Sequence, residues 1–468
     1  MEEPLSDDEM NITNRMSRFF LALPGNLRYF LMNLKSTVIK DNYLKILIIL
    51  TITGLILRLW HIGYIPLWGD EILTNSYSHH SFLEIWYIGT GGVNPPTFYW
   101  IEHVMLFFGS GEAVLRLVPA LAGTCTIPVF YLLGREFHNR ETGLVAAALL
   151  TVSAFHIYYS QEARPYTLFL LCFSLALIFY LRACKTNSTS TWVLFGVFSA
   201  LSCWAHLFGF VFVFPLFLLT LLVKFFTGKT GIKDLNPVIL AGAIWFLFSL
   251  PMLLVTVHAG ISKVNEVGSW GYQGVDVITT TIWDEFGWYN VGIIILCLLF
   301  MAGLVRILRT GRKRFLFITV ALALPLIITV VLSYRMPVVS KYLIGLLPFF
   351  FLGISYSISS VHRRLFTVRF SCIAILLLVA ISVPSLNMYY SADPKYGQDC
   401  SDYHGPSFLT DAYCIPVPDR APPLFPHRHL NSSTTIRTGN KIVTLEMVER
   451  NSPEPFSDFL QPLQGSVL

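Results

Sequence analysis

Asp70 and Glu71 stand side by side in PLWGDEILTNSYSHH, and no Lys or Arg occurs between Gly63 and Glu112. Two adjacent carboxylates can sit idle in solvent. Brought out of water, they repel each other unless a cation or a metal offsets them. A carboxylate held beside a hydroxyl can take its proton as that oxygen attacks, which is general-base chemistry. The pair can also hold a divalent metal, although no set of ligands at recognisable spacing accompanies it. Three further stretches gather polar residues: FHIYYSQEARPY with His156, Tyr159, Gln161, Glu162, Arg164 and Tyr166; WAHLFG with His206; and SYRMPVVSKYLIGLLPFF with Arg335, Lys341 and Tyr342. Trp68 and Asn94 belong with the acidic pair. Each has an ordinary alternative. Arg164, Arg335 and Lys341 can snorkel to lipid head groups, His206 can be a packed histidine, and His79 and His80 are loop residues. Glu112 and Arg116 are spaced i, i+4 and read as a local helix salt bridge.

The elements that position these groups cross a membrane. The chain has 468 residues, 54% hydrophobic and 13% charged, with a mean hydropathy of +0.60. A soluble domain carries about twice that charged fraction, and apolar runs of about 20 residues match a bilayer core. The expected fold is an all-α polytopic bundle of about eleven spans, near 44–62, 113–134, 142–160, 165–183, 191–206, 207–226, 237–257, 290–308, 315–333, 341–360 and 366–387. The first run begins too late for a cleavable signal peptide. The segment from Thr191 to Phe226 is too long for one crossing and divides near His206. NPPTFYWIEHVMLFFG is too short to span and carries Glu102 and His103. It reads as a helix lying in the interface, with Pro95 and Pro96 in its first turn.

Lys and Arg concentrate in alternate connections: Arg135 and Arg140; Arg182 and Lys185; Lys224, Lys229 and Lys233; Arg306 to Arg314; Arg363, Arg364 and Arg369. The positive-inside rule makes these cytoplasmic. It leaves all four polar stretches on the outer face, in a cell-membrane protein with the N-terminus inside and the C-terminus outside. The net charge of +5 therefore reports topology rather than nucleic-acid binding. The organisation is a cytoplasmic segment 1–43, a membrane domain 44–387 with outer loops 63–112 and 258–289, and an outer tail 388–468. The tail holds ten of the 25 prolines, shows neither helix nor strand period, and is expected to be poorly ordered. Five cysteines lie in apolar runs as packing residues, and only Cys400 and Cys414 share a polar region. Sequons stand at Asn11, Asn187 and Asn431. No repeat and no Gly-rich phosphate loop is present, so no nucleotide site is expected.

WGDE after the first span, the run from Asn94 to Leu150, SAFHIYYSQEARPYTLFLL and KYLIGLLPFFFL resemble the membrane glycosyltransferases of the GT-C superfamily, in the branch of the protein O-mannosyltransferases and lipid A aminoarabinose transferases. The resemblance covers about residues 44 to 390. It implies a bundle with interfacial helices in the first outer loop. It implies transfer, with inversion, of a sugar from a polyprenyl or dolichyl phosphate to an acceptor hydroxyl on a protein, glycan or lipid. By position, Asp70 matches the acidic residue taken as the base, Glu71 its neighbour, and Lys341-Tyr342 an Arg-Tyr pair. Asn94 departs from the Lys or His that relatives carry before the two prolines. The residues agree with that chemistry: a leaving phosphate needs cations such as Arg164, Arg335 or Lys341. The alternative is a lipid-linked sugar flippase or transporter. It would keep ionisable residues near the bilayer midplane on broken helices, whereas here they stand at span ends.

Overall fold

The computed structural model describes residues 41–91, 94–227, 232–262, 271–287, 289–360, 368–391, 433–438 and 441–446. The N-terminal segment up to residue 40, expected to be cytoplasmic, Cys400 and Cys414, and the sequons at Asn11 and Asn431 lie outside them.

The apolar runs are helices because a lone segment in lipid can satisfy its backbone N–H and C=O groups internally only as a helix. In chain order they are α1 (Asn42–Leu59), α2 (Gly69–Ser78), α3 (Phe82–Gly91), α4 (Thr97–Met105), α5 (Glu112–Leu115), α6 (Leu117–Phe137), α7 (Arg140–Thr151), α8 (Ala154–Ser160), α9 (Tyr166–Thr186), α10 (Thr189–Ala205), α11 (Gly209–Thr227), α12 (Ile232–Ser262), α13 (Val275–Glu285), α14 (Asn290–Thr310), α15 (Arg312–Leu332), α16 (Leu347–Ser359) and α17 (Val368–Tyr390). A 3-10 segment, Ser340–Leu346, leads into α16.

Among the described residues, nine helical stretches are long and apolar enough to cross a membrane. The pair α7 and α8, bent by 62°, makes a tenth, and α10 is a shorter apolar helix. All eleven expected segments are therefore apolar helices. The division at His206 falls between α10 and α11, where His206 is extended. Lipid-facing surfaces are apolar: Ile49, Leu298 and Leu376 are each more than 60% exposed. Where helices meet, small residues bring backbones close. A Cβ on Gly303 of α14 would stand 2.0 Å from the Gly353 carbonyl of α16, so neither helix could approach the other with a larger residue there.

The segment between α1 and α5 folds into α2, α3 and α4, three helices of 9 to 10 residues. α4 starts after Pro96, as the two prolines predict. In the tail, β1 (Ser433–Thr438) pairs antiparallel with β2 (Lys441–Glu446), Thr438 opposite Lys441. This corrects the expected absence of strand period in the tail: the sequence there holds two β-branched-rich runs separated by Gly439-Asn440, a hairpin dipeptide. The hairpin belongs to a separate unit, Pro416–Leu468.

Candidate active site

The helix break between α7 and α8 builds the floor of the site. Ser153 caps α8, its Oγ accepting from the His156 N–H (3.3 Å). The break leaves the last carbonyls of α7 without helical donors. Arg58, at the end of α1 and fully buried, supplies donors instead, to Leu150 O (3.0 Å), Gly54 O (2.9 Å) and His156 Nδ1 (2.7 Å). Gln161, just after α8, caps α1 in return: its Nε2 donates to the carbonyls of Arg58 (3.0 Å) and Trp60 (2.6 Å). Tyr389, near the end of α17, donates to Gln161 Oε1. His156 and Gln161 therefore fix the frame that presents Glu162 and Arg164.

Asp70 and Glu71 diverge. Both lie in the first turn of α2, a favourable place for acids at a helix N-terminus. Glu71 is fully buried. It meets Arg116 in a fork, Oε1 accepting from Nε at 2.8 Å and Oε2 from Nη2 at 2.6 Å. Oε1 also accepts from Ala163 N–H (2.7 Å), and Oε2 from Trp68 N–H (3.3 Å). A carboxylate offers about four lone-pair sites, and Glu71 has four donors. Arg116 further donates to the carbonyls of Ile62, Ile65 and Pro66. This overturns the expected Glu112–Arg116 pair: the local spacing is present, but the buried long-range partner wins. The knot ties the start of α2 to the start of α6 and to the turn after α8.

Asp70 faces the other way, with its side chain 34% exposed. Its Oδ2 lies 3.4 Å from Lys341 Nζ and 3.8 Å from Arg164 Nη2. Lys341 Nζ stands over the Trp68 ring at 4.8 Å and the Tyr166 ring at 5.7 Å, cation–π contacts that hold the ammonium in place. Arg164 Nη1 also reaches Thr74 Oγ1 at 3.4 Å. Tyr342 and His206 back this group, their rings 5.5 Å apart, and Tyr159 packs on Tyr166 at 5.2 Å. Burial, with the positive charge of Arg164 and Lys341, pushes the His206 imidazole down to about 3, so His206 is a neutral packing ring. Burial opposes the charge on Arg164, but Tyr99, Tyr166, Asp70 and Glu162 outweigh it and raise its pKa well above the usual value. Burial lifts the Glu162 carboxyl to about 8, against the pull of Lys341, with Glu71 and Asp70 adding to the lift.

Two expected members stand apart. Arg335 is exposed in the turn after α15 and makes no ion pair among the described residues. Asn94 precedes α4, and its N–H donates to Gly89 O at 2.8 Å. Of the acidic pair expected as a possible metal site, Glu71 has both oxygens engaged by four donors. Among the described residues no three His, Cys, Asp or Glu side chains gather as a metal-holding group.

Residues 93–254 match the family described as dolichyl-phosphate-mannose-protein mannosyltransferase. Over 139 residues the chain is 31% identical to the Arabidopsis thaliana STT3B subunit of dolichyl-diphosphooligosaccharide–protein glycosyltransferase, covering 29% of this chain and 18% of that protein. The Oryza sativa subunit is 37% identical over 123 residues, covering 25% and 16%. The chain thus spans less than a fifth of these curated relatives. The crystal structure of ArnT from Cupriavidus metallidurans in the apo state superposes with a TM-score of 0.51 at 14% identity. The same enzyme bound to undecaprenyl phosphate superposes at 0.52 and 15%. Both cover 74% of this chain and 65% of that one.

The chain has the GT-C fold.

Within this GT-C bundle the matched segment runs from just before α4 to within α12, so it includes Arg116, Glu162, Arg164 and His206. Asp70 and Lys341 lie outside it and join the site through tertiary contact. Arg58, Arg116 and Thr74 are not among the expected site residues; Arg58 and Arg116 leave a sequence signal, each an arginine within an expected span, and Thr74 leaves none.

Proposed function

We propose that this GT-C protein transfers a sugar from a polyprenyl or dolichyl phosphate to an acceptor hydroxyl, with Asp70 as the base. The observation that carries the reading is the half-exposed Asp70 carboxylate against two cations, Lys341 and Arg164, beside a neighbour whose carboxylate is saturated. The match to a lipid-phosphate-dependent mannosyltransferase family and the fold shared with a protein crystallised on undecaprenyl phosphate support it. Apolar helix faces supply walls for a lipid tail.

The acceptor O–H gives its proton to Asp70 as its oxygen bonds to the anomeric carbon. The bond from that carbon to the phosphate oxygen breaks on the opposite side, and the electron pair leaves with the phosphate. Configuration therefore inverts. Lys341 and Arg164 neutralise the departing charge. Lys341 and Arg164 both stand against Asp70. A donor phosphate competes for them and loosens their hold on the carboxylate that must accept the proton. The basic-loop asymmetry puts the site on the outer face, with the N-terminus inside.

Asp70→Asn keeps the shape and removes the base. With saturating lipid-linked donor, transfer to acceptor is expected to fall about 10²- to 10⁴-fold, while donor binding and the melting temperature hold. Near-normal turnover would exclude Asp70 as the base. Movement of intact sugar-lipid across vesicles without bond cleavage would favour the flippase.

A further inference from the structure

The Lys341 ammonium ends a flexible four-carbon stem, so its place in the charged site depends on where the backbone puts its Cα. That backbone is the first turn of the 3-10 segment Ser340–Leu346, which follows an extended Val339 and has no side-chain cap of its own. Hydrogen bonds in a 3-10 turn have poorer geometry than those of an α-helix, so the turn gains from outside support. The support comes from α13 and the residues just before it. Tyr272 N–H donates to Val338 O at 2.7 Å in an isolated antiparallel bridge, and Gly274 N–H donates to Ser333 Oγ at 2.9 Å. α13 then packs on the 3-10 segment, and at its end the Asp284 carboxylate accepts from Ser340 Oγ.

The third contact differs from the other two. Those fix extended chain upstream, whereas Asp284 holds the residue that directly precedes the site cation. Asp284 is fully buried and Ser340 is 4% exposed, so water does not compete for the bond, and the low dielectric around it strengthens it. A buried carboxylate needs some donor in any case. Here the donor is the one hydroxyl whose displacement would carry the Lys341 Cα with it, and with the Cα an ammonium that stands 3.4 Å from Asp70 Oδ2 and 4.8 Å from the Trp68 ring. We propose that Asp284 is a positioning residue: through the Ser340 hydroxyl it sets the start of the 3-10 segment, and so places the Lys341 ammonium where a lipid phosphate is met. The proposal rests on the reading of Lys341 as a phosphate cation. It adds to the site a residue that lies outside both the four polar stretches and the matched segment 93–254.

Full-length protein in lipid nanodiscs is read in two ways. Acylation of Lys341 by a water-soluble succinimidyl ester, followed by peptide mass spectrometry, reports where the ammonium sits, because its side chain is only 15% exposed in place. Ser340→Ala and Asp284→Ala should each raise that rate about threefold or more, the loss of one hydrogen bond. Asp284→Asn keeps a carbonyl acceptor, should restore most of the protection, and guards against a folding failure of the alanine variants. The second readout is binding of undecaprenyl phosphate, which Ser340→Ala should weaken about three- to tenfold. In a Lys341→Ala background the same substitution should change nothing further, since its effect runs through Lys341. A merely structural bond would lower affinity by the same factor in both backgrounds. Lys341 acylation unchanged in both alanine variants, or additive losses in the double variant, overturns the proposal. If Lys341→Ala alone binds the lipid like the wild type, the phosphate reading of Lys341 fails, and the acylation rates alone then decide the tether.

Discussion

Asp70 and Glu71 are chain neighbours in one helical turn, yet their surroundings are opposite. The Glu71 side chain is 1% exposed and saturated by donors; that of Asp70 is 34% exposed and meets its cations at 3.4 and 3.8 Å. A charge built to hold structure has its hydrogen-bonding capacity filled. A charge built to react keeps loose partners that a substrate can take over. Successive helix residues point about 100° apart, so one turn can serve both ends, one acid facing inward and the other the site.

The contrast predicts where substitutions show. Arg116→Ala leaves Glu71 buried and unpaired, which costs about 3–5 kcal/mol. Thermal melting in detergent should drop steeply and the segment holding α2, α3 and α4 should become protease-sensitive. A variant that melts like the wild type would show that the knot is dispensable. On the other side, Lys341→Ala should leave melting nearly unchanged and weaken polyprenyl phosphate binding about ten- to a hundredfold, the loss of one charge-assisted contact. Arg335→Ala, exposed and unpaired among the described residues, is the internal control and should bind the lipid like the wild type. Equal losses from both would return Lys341 and Arg335 to a common role as head-group anchors.

A smaller effect separates the two regions by pH. Glu102 in α4 is fully buried, neither carboxyl oxygen has a partner among the described residues, and burial with the nearby Glu71 charge lifts its pKa to about 9. An acid whose folded pKa is raised stabilises most below its unfolded value, near 4.5. That contribution fades as pH rises through about 9. Wild type should therefore melt lower at pH 10 than at pH 6 by more than Glu102→Gln does. Parallel melting curves for the two would show that Glu102 does not titrate in this window.

The bundle was legible in the sequence because each span is a local signal: length, apolarity and flanking charge. Even the split at His206 follows from a run too long to cross once. The site was legible only as four polar stretches on one face. Which side chains meet was not, because Glu71 and Arg116 are 45 residues apart and Arg58 and His156 are 98 apart, and no periodicity links such pairs. Glu112 and Arg116 carry the local spacing of an ion pair, yet the close contacts of Arg116 go to Glu71, since burial rewards the long-range fork. Arg335 shared a stretch with Lys341 but projects from the turn after α15, where sequence proximity says nothing of direction. The hairpin at 433–446 was hidden by the prolines around it.

α17 has a bearing on how the protein is made. Tyr389 and Tyr390 at its end donate to Gln161 Oε1 and to Leu57 O, so α17 closes onto α1 and onto the turn that carries Glu162. During synthesis the segments before it emerge and insert first. Until residue 390 has left the ribosome, these contacts cannot form and the site frame stays open. A nascent chain stalled before that point would lack the contacts that hold the turn carrying Glu162.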